Sequence, residues 1–231
     1  MANHLDLEEQ EQLDQLKHFW KQYGNPITWV LIAVLSLVAA WNGYQYWQRS
    51  QSIQAAAMFD EFERVALGGD LQKTERAFSD MKERFASTMY AQQAGLQVAK
   101  SAYAAGNIEL AKRALTWISD KSDDKGYASI ARLRLATLLM ETKAYDEALA
   151  LLNRDVADEF SALAADRRGD VFSAQGKKSE ARAEYQKAYS KFDERSDYRR
   201  LVDVKLNALG VTSNSNALLA SNAIVKTDGS K

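Results

Sequence analysis

The chain begins with a polar segment that gives way to a continuous run of apolar residues. Between Lys21 and Arg49 no side chain is charged at neutral pH, and residues 27–47 are mostly apolar. At about 1.5 Å of rise per residue, a helix of this length spans about 30 Å, the thickness of the hydrocarbon core of a bilayer. Trp29 lies near one end of the run, and four rings lie near the other: Trp41, Tyr44, Tyr46 and Trp47. Aromatic rings at both ends are typical of a membrane-spanning helix, which we predict at residues 25–48.

Two alternatives compete with this span. A cleaved signal peptide has an apolar run of about 7–15 residues before small residues, and residues 27–40 end in Val38-Ala39-Ala40. Signal peptides start with basic residues, however, whereas residues 1–16 lack Lys and Arg and carry five acids: Asp6, Glu8, Glu9, Glu11 and Asp14. A buried core helix is the other alternative, although such helices seldom run this far without a charge. We expect an uncleaved span beginning at Asn25-Pro26, because proline is favoured at the first helical position.

The segment before the span predicts an orientation and a contact surface. Lys17 and Lys21 precede the run and only Arg49 follows it closely, and an excess of basic residues marks the cytoplasmic side. We therefore expect residues 1–24 in the cytoplasm and the large C-terminal part exported. One side of a short amphipathic helix in this segment is apolar: Leu13, Leu16, Trp20 and Tyr23. That face indicates either a helix against the lipid headgroups or a contact for a partner.

After Arg49 the apolar residues recur at spacings of three and four, which is typical of amphipathic helices. Short breaks interrupt them at Gly69, Gly106, Lys143 and Gly176, which are 37, 37 and 33 residues apart. Beyond each break come a small residue and then a large one: Thr74 and Phe78, Ala111 and Leu115, Ala148 and Leu152, Ala181 and Tyr185. A period of this size predicts a stack of helical pairs.

This spacing resembles the tetratricopeptide repeat. That family places a small residue midway along the first helix of each pair, where this chain has Ala99, Ala136 and Gly169. It places a bulky residue three positions later, where Leu139 and Phe172 fit and Ala102 fits poorly. Phe62 stands where the first pair needs a small residue, so we expect that pair to be degenerate and to cap the array. An irregular bundle of helical hairpins is the alternative.

The predicted fold is all-α: a single N-terminal transmembrane helix, then a tetratricopeptide-like α-solenoid of about four helical pairs with a C-terminal capping helix. The capping helix is predicted at Tyr198–Leu209, with Gly210 ending it. Residues 211–231 are rich in Ser, Asn and Ala, and we predict a disordered tail there. The predicted segments are therefore 1–24, 25–48, 49–210 and 211–231.

The amino-acid composition excludes several kinds of ligand and catalytic site. The net charge of −1 gives no overall field that attracts nucleic acid, and the absence of cysteine excludes disulfides and thiol chemistry. Both histidines, His4 and His18, precede the span, which excludes a histidine cluster in the repeat domain. Acidic pairs such as Asp166 and Asp170 are typical of solvated helix faces. We expect no enzyme activity, no cofactor, no metal site, no small-molecule substrate and no nucleic acid.

The order of elements, from acidic segment through aromatic-rich span to helical pairs, resembles the YfgM family of ancillary Sec translocon subunits. The likeness covers residues 11–209. Its most specific stretch runs from Ala164–Asp170 through Gln175–Lys177 to Ala181-Arg182, and Leu133–Ala136 and Lys205–Asn207 also match. The resemblance implies a bacterial inner-membrane protein with a periplasmic repeat domain. It implies partners among the Sec channel subunits, a membrane-anchored prolyl-isomerase-like chaperone and unfolded secreted clients. A generic membrane-anchored scaffold for another envelope complex is the alternative.

The tetratricopeptide resemblance also implies a binding surface, because the first helix of each pair lines a concave face in that family. The expected partner-binding residues are Leu96, Lys100, Tyr103, Ile130, Leu133, Thr137, Met140, Leu163, Asp166 and Asp170. Most are apolar, as suits an extended or helical polypeptide segment. The alternative is that the chain's own C-terminal helix or tail fills this surface.

Overall fold

The computed structural model describes residues 7–210, with side chains from residue 11 onward, and these residues form helices and short connections without a strand. The predicted all-α fold is therefore confirmed for this part of the chain. The α-helices are α1 (Leu7–Leu67), α2 (Leu71–Phe85), α3 (Met89–Ala104), α4 (Ile108–Lys121), α5 (Lys125–Glu141), α6 (Tyr145–Leu152), α7 (Ser161–Ala174), α8 (Lys178–Lys191) and α9 (Asp197–Ala208), and a 3₁₀ turn, Asp158–Phe160, precedes α7. The chain divides into two compact units, Met1–Gln54 and Ala55–Lys231.

In the first unit, α1 runs through the apolar segment without a break. The expected helix start at Asn25-Pro26 is wrong, because α1 begins at Leu7 and Pro26 lies inside it. A proline removes one backbone hydrogen bond, here the one to the Gln22 carbonyl four residues earlier. Two residues further on, the Thr28 hydroxyl donates to the Gly24 carbonyl at 2.7 Å. Among the described helices, α1 is the one long and apolar enough to cross a membrane.

The apolar face ahead of the span is exposed throughout. Its members are Leu13, Leu16, Trp20 and Tyr23, and Phe19 is exposed beside them. The Trp20 ring covers Gly24, where an added Cβ would come within 3.2 Å of the ring. Both interpretations of this face, contact with headgroups or contact with a partner, therefore stay predictions.

The second unit confirms the repeat positions that the sequence spacing predicts. All four breaks adopt a left-handed backbone conformation, with φ of 74° at Gly69, 75° at Gly106, 59° at Lys143 and 77° at Gly176. A left-handed residue directly after a helix ends it while the chain turns back. Each break therefore separates the two helices of one pair, which are α1 and α2, α3 and α4, α5 and α6, and α7 and α8.

The predicted packing positions form the core of these pairs. The large residues of the second helices are at most 4 % exposed, namely Phe78, Leu115, Leu152 and Tyr185. Ala99 and Ala136 of the first helices are at most 3 % exposed, as close helix packing requires. Phe62 is fully buried at the equivalent position of the first pair, and its ring lies 5.7 Å from that of Phe59.

Side-chain caps fix where several second-unit helices begin. Asp70 accepts from the Lys73 amide ahead of α2, Asn107 accepts from the Leu110 amide ahead of α4, and Asp124 does the same for Tyr127 ahead of α5. Such caps satisfy amides that have no partner within the helix. These caps fix the first residue of α2, α4 and α5, and the left-handed breaks fix where the first helix of each pair ends.

The capping helix is confirmed as α9, one residue before its predicted bounds at each end, and Gly210 follows it with φ of 81°. Val202 and Leu206 of α9 are buried in a small apolar cluster with Tyr185 and Ala188 of α8. The predicted disordered tail at 211–231 lies outside the described residues.

Candidate functional site

The structure brings four of the predicted residues of α3 and α5 to the walls of two neighbouring cavities: Leu96, Lys100, Tyr103 and Thr137. We call this region the α3–α5 surface; the other predicted residues of α5, Ile130, Leu133 and Met140, line neither cavity. Lys100 and Tyr103 are exposed, whereas the remaining five predicted residues are partly buried. Leu96, Leu133 and Met140 also pack against the main apolar core. These apolar side chains are therefore partly used for folding, and only part of each faces outward.

Two cavities open on the α3–α5 surface. The first, of about 440 Å³, is lined by Lys100 and Tyr103 of α3, by Arg134, Thr137, Leu138 and Glu141 of α5, and by Ala99 and Leu115. The second, of about 460 Å³, lies between α3 and the end of α1, and includes Leu96 and the exposed Leu67. Lys100 and Arg134 line both cavities, so they mark the boundary at which the two meet.

The charges on this surface are unbalanced. Glu141 is the one acidic side chain that lines either cavity among the described residues, and it accepts a hydrogen bond from the Tyr103 hydroxyl at 2.9 Å. This hydrogen bond, together with the Glu141 charge, raises the pKa of Tyr103, so the hydroxyl keeps its proton. Lys100 and Arg134 make no ion pair or hydrogen bond with any side chain in residues 11–210.

Arg134 was missed from the sequence. It follows Leu133 directly and stands 37 residues after Gln97, so the repeat spacing places both in equivalent positions of α3 and α5. The structure shows Gln97 and Arg134 lining the same cavity. A basic residue adjacent to a predicted binding position was the available signal, and it would have extended the surface by one helix position.

The predicted residues of the last pair have different surroundings. Leu163 is partly buried, and Asp166 is only 2 % exposed, so the expected solvated face is wrong at that residue. Lys205 of α9 donates to both Asp166 oxygens, at 2.7 and 2.9 Å, and to Asp170 at 2.7 Å. The Tyr185 hydroxyl also donates to Asp170, at 2.8 Å. Both carboxylates are therefore already bound by the protein's own side chains, and we leave them out of the binding surface.

Burial governs the pKa values in this polar cluster. It raises the pKa of Asp166 above its ordinary value; the hydrogen bonds from Lys205 oppose that change and the Asp170 charge adds to it. Burial and the charge of Asp170 also raise the pKa of Tyr185, which stays protonated. Two carboxylates thus share the Lys205 ammonium group, which is a structural arrangement that ties α9 to α7 and α8.

A second ion pair joins neighbouring helices. Arg168 of α7 donates to Glu184 of α8 at 2.7 Å and to the Leu152 carbonyl of α6 at 2.8 Å. Burial tends to raise the pKa of Glu184, but hydrogen bonds from Lys187 and Arg168 outweigh it and leave that pKa lowered. No group of His, Cys, Asp and Glu side chains within the described part of the chain could hold a metal ion.

Comparisons with known proteins agree with this architecture. A family model described as a tetratricopeptide repeat-like domain matches residues 17–211. Three relatives share the name ancillary SecYEG translocon subunit. The one from Neisseria gonorrhoeae is 32% identical over 90% of this chain and 100% of its own length. Those from Haemophilus influenzae and Escherichia coli K12 are 29% and 24% identical, over 88% of this chain and 98% and 97% of their own lengths.

The match to the family model, at residues 17–211, includes most of α1 and all the helical pairs, rather than the repeats alone. Shared repeats on their own would show only a common architecture. Because the relatives align from end to end and carry one name, the chain belongs to the YfgM family of ancillary SecYEG translocon subunits, proteins with a tetratricopeptide repeat-like domain.

Proposed function

We propose that this protein is a single-pass protein of the bacterial inner membrane that associates with the Sec channel. The observation that carries the proposal is the end-to-end match to relatives named ancillary SecYEG translocon subunit. The apolar helix α1 supports the membrane location, because its uncharged segment is long enough to span a bilayer. Lys17 and Lys21 ahead of the span favour a cytoplasmic N-terminus and a periplasmic repeat domain.

The proposed role is that of a non-enzymatic adaptor or chaperone. Its repeat domain contacts secreted polypeptides as they emerge, together with a membrane-anchored prolyl-isomerase-like chaperone. The α3–α5 surface supports this role, since its two open cavities include apolar side chains such as Leu96 and the exposed Leu67. Mixed surfaces of this kind suit polypeptide segments that present apolar side chains.

The association is tested by purifying the tagged full chain from membranes in mild detergent. We expect Sec channel subunits among the recovered proteins, and an unrelated single-span protein carrying the same tag serves as the control. Recovery of another envelope complex without channel subunits would favour the generic scaffold instead. Protease added to spheroplasts checks the orientation: it should digest the part after Arg49, and protection of that part would contradict a periplasmic repeat domain.

The binding surface is tested with an exposed aromatic residue. Tyr103 is 46% exposed and lines the first cavity, so Tyr103→Ala should lower recovery of the partner chaperone while the chain stays folded. Tyr198→Ala is the matched control, because Tyr198 is 51% exposed and lies on α9 away from both cavities. Aspartate substitutions at Leu133 or Met140 are unsuitable, because both side chains pack on the core. Equal recovery with both tyrosine variants would place the binding surface elsewhere.

A further inference from the structure

The α3–α5 surface carries two cations that line both of its cavities and have no ion pair among the described residues. Elsewhere many basic side chains already have acidic partners, as Arg113 has Glu75 and Lys205 has Asp166. Lys100 and Arg134 have neither an ion pair nor a side-chain hydrogen bond among residues 11–210. Both are exposed, and both line the two cavities at the point where these meet.

The surroundings of these cations set the chemistry of a ligand. Leu96 lines the second cavity, and the Tyr103 ring lines the first together with Ala99 and Leu138. Glu141 forms no ion pair with either cation, and it accepts a hydrogen bond from the Tyr103 hydroxyl instead. The surface therefore offers apolar contact on its walls and two free positive charges at its centre.

We propose that the α3–α5 surface binds polypeptide segments in which acidic residues alternate with apolar ones, with carboxylates meeting Lys100 and Arg134. This inference rests on the proposed role as a polypeptide-binding domain and names the chemistry of its partner. A guanidinium group and an ammonium group both form charge-assisted hydrogen bonds with carboxylates, which are about twice as strong as neutral ones. Apolar side chains of the same segment then fill the cavities on either side.

Nucleic acid does not fit the same surface. Binding to a phosphate backbone needs a broad field with several phosphate contacts, whereas this chain has a net charge of −1 and presents two unpaired cations here. The chain's own C-terminal segment is a different kind of occupant. Residues 211–231 contain one acid, Asp228, beside Lys226 and Lys231, so their charge complements the two cations poorly.

The test measures binding of a short labelled peptide of leucines and glutamates to the full chain in mild detergent, by fluorescence anisotropy. Two matched peptides carry glutamine or lysine in place of every glutamate. We expect the glutamate peptide to bind at least about tenfold more tightly than the glutamine peptide, and to lose affinity as salt is raised. Equal affinity for the glutamate and glutamine peptides would overturn the proposal.

Substitutions in the protein locate the contact. Lys100→Gln combined with Arg134→Gln should weaken binding of the glutamate peptide about tenfold and leave the glutamine peptide unchanged. The control pair, Arg76→Gln with Lys178→Gln, removes two exposed cations that line neither cavity. Circular dichroism checks that each variant folds, and the single variants replace the double variant if it does not. An equal loss in the control pair would contradict a local site.

Two further outcomes are informative. If the glutamate peptide binds only after residues 211–231 are removed, the chain's own C-terminal segment occupies the surface, which overturns an external partner. Recovery of Sec channel subunits is measured on the same preparations. A chain that recovers the channel but does not prefer the acidic peptide contradicts this inference alone, whereas a chain that binds the peptide but not the channel contradicts the proposed function alone.

Discussion

The central helix pairs and the last pair place different side chains at equivalent positions. Where α3 and α5 carry Leu96 and Leu133, α7 carries Asp166. The leucines pack against the apolar core and partly face outward, whereas Asp166 is 2 % exposed and bound by Lys205 of α9. The same structural position is thus open in the middle of the array and closed at its end. An acid in place of leucine there ties down the helix that covers the last pair.

The last helix pair also differs from the central pairs at two packing positions. Leu115 and Leu152 of the central pairs correspond to Tyr185 of α8, and Ala136 corresponds to Gly169 of α7. An added Cβ at Gly169 would lie only 2.4 Å from Cε1 of Tyr185. The larger ring therefore requires the smaller residue opposite it. The ring in turn places its hydroxyl 2.8 Å from Asp170, so the polar cluster and the glycine depend on each other.

The largest expected effect comes from removing the cation of the last pair. Lys205→Met keeps the length of the side chain but leaves Asp166 and Asp170 without their ammonium partner. Breaking a buried ion pair on one side costs about 3–5 kcal/mol. We expect a loss of that order in the free energy of unfolding of the full chain, measured with denaturant in mild detergent and followed by circular dichroism.

The central pairs supply the control for this experiment. Lys100 is exposed and forms no ion pair among the described residues, so Lys100→Met should change stability by less than about 0.5 kcal/mol. If Lys205→Met proved as mild as Lys100→Met, the polar cluster would not be what holds α9 in place. The double variant Lys205→Met with Asp166→Asn should recover part of the loss, because one buried charge is removed along with its partner.

The next effect tests the fit between helices. Gly169→Ala forces a methyl group against the Tyr185 ring, and overpacking a core costs about 1–3 kcal/mol. Adding Tyr185→Leu recreates the alanine and leucine of the central pairs and should relieve the clash. Thermal unfolding of the parent, of both single variants and of the double variant gives the coupling. Additive losses, with no relief in the double variant, would mean that the glycine does not serve the ring.

Ala136→Leu makes the equivalent change in a central pair. Ala136 is fully buried, and we expect its enlargement to lower the melting temperature by several degrees. An unchanged melting temperature would contradict a close helix crossing at this position.

The spacing of residues in the sequence predicts the helix pairs and most of their buried positions, but it does not predict the ion pair between Asp166 and Lys205. Breaks at Gly69, Gly106, Lys143 and Gly176 identify the pairs because a left-handed turn is a local property of the chain. Burial of Ala136 and Leu152 follows from the same spacing, since equivalent positions face equivalent neighbours. The pairing of Asp166 with Lys205 does not follow, because it joins residues on different helices 39 positions apart and depends on how α9 packs.

Two other features were wrongly predicted or missed because they, too, depend on more than local sequence: the cavity-lining Arg134 and the position of Pro26 inside α1. Arg134 lies beside a predicted position, and whether it reaches the cavities depends on the rotation of α5 about its axis rather than on spacing. Pro26 looks like a helix start because proline favours that position, but it also occurs inside helices when the lost hydrogen bond is tolerated. Local sequence patterns thus predict the helices and their breaks, whereas the ion pairs that join different helices could be found only in the structure.

Asp166 and Glu184 of the last helix pair should change the stability of the protein in opposite directions as the pH falls. Asp166 has a raised pKa in the folded chain, so between neutral pH and about pH 4 the folded state binds more protons than the unfolded state. Its contribution to stability therefore grows as pH falls. Glu184 has a lowered pKa, so its contribution is present above about pH 4.5 and is lost below it.

Isosteric variants measure these opposite slopes. As pH falls from 7 towards 4, the stability of the parent relative to Asp166→Asn should rise. Relative to Glu184→Gln it should fall once the pH drops below about 4.5. Denaturant unfolding at a series of pH values gives both differences. If both differences fell together, the pKa of Asp166 would be lowered rather than raised, and Lys205 would outweigh burial.

The smallest expected effect concerns the one break that is not glycine. Lys143 adopts φ of 59°, whereas Gly106 and Gly176 stand at the equivalent breaks of the neighbouring pairs. A left-handed conformation costs a residue with a side chain about 1–2 kcal/mol, and the greater freedom of glycine in the unfolded chain offsets about 0.5–1 kcal/mol of any gain. Lys143→Gly should therefore stabilise the protein by about 0.5–1 kcal/mol and raise its melting temperature by about 1–4 °C.

The converse substitution is Gly106→Ala, which should destabilise the protein by about 1 kcal/mol, because it places a methyl group on a left-handed residue. Calorimetry of the full chain in detergent measures both shifts. If Lys143→Gly instead lowered the melting temperature, the lysine side chain would contribute a contact that outweighs the strain of its backbone.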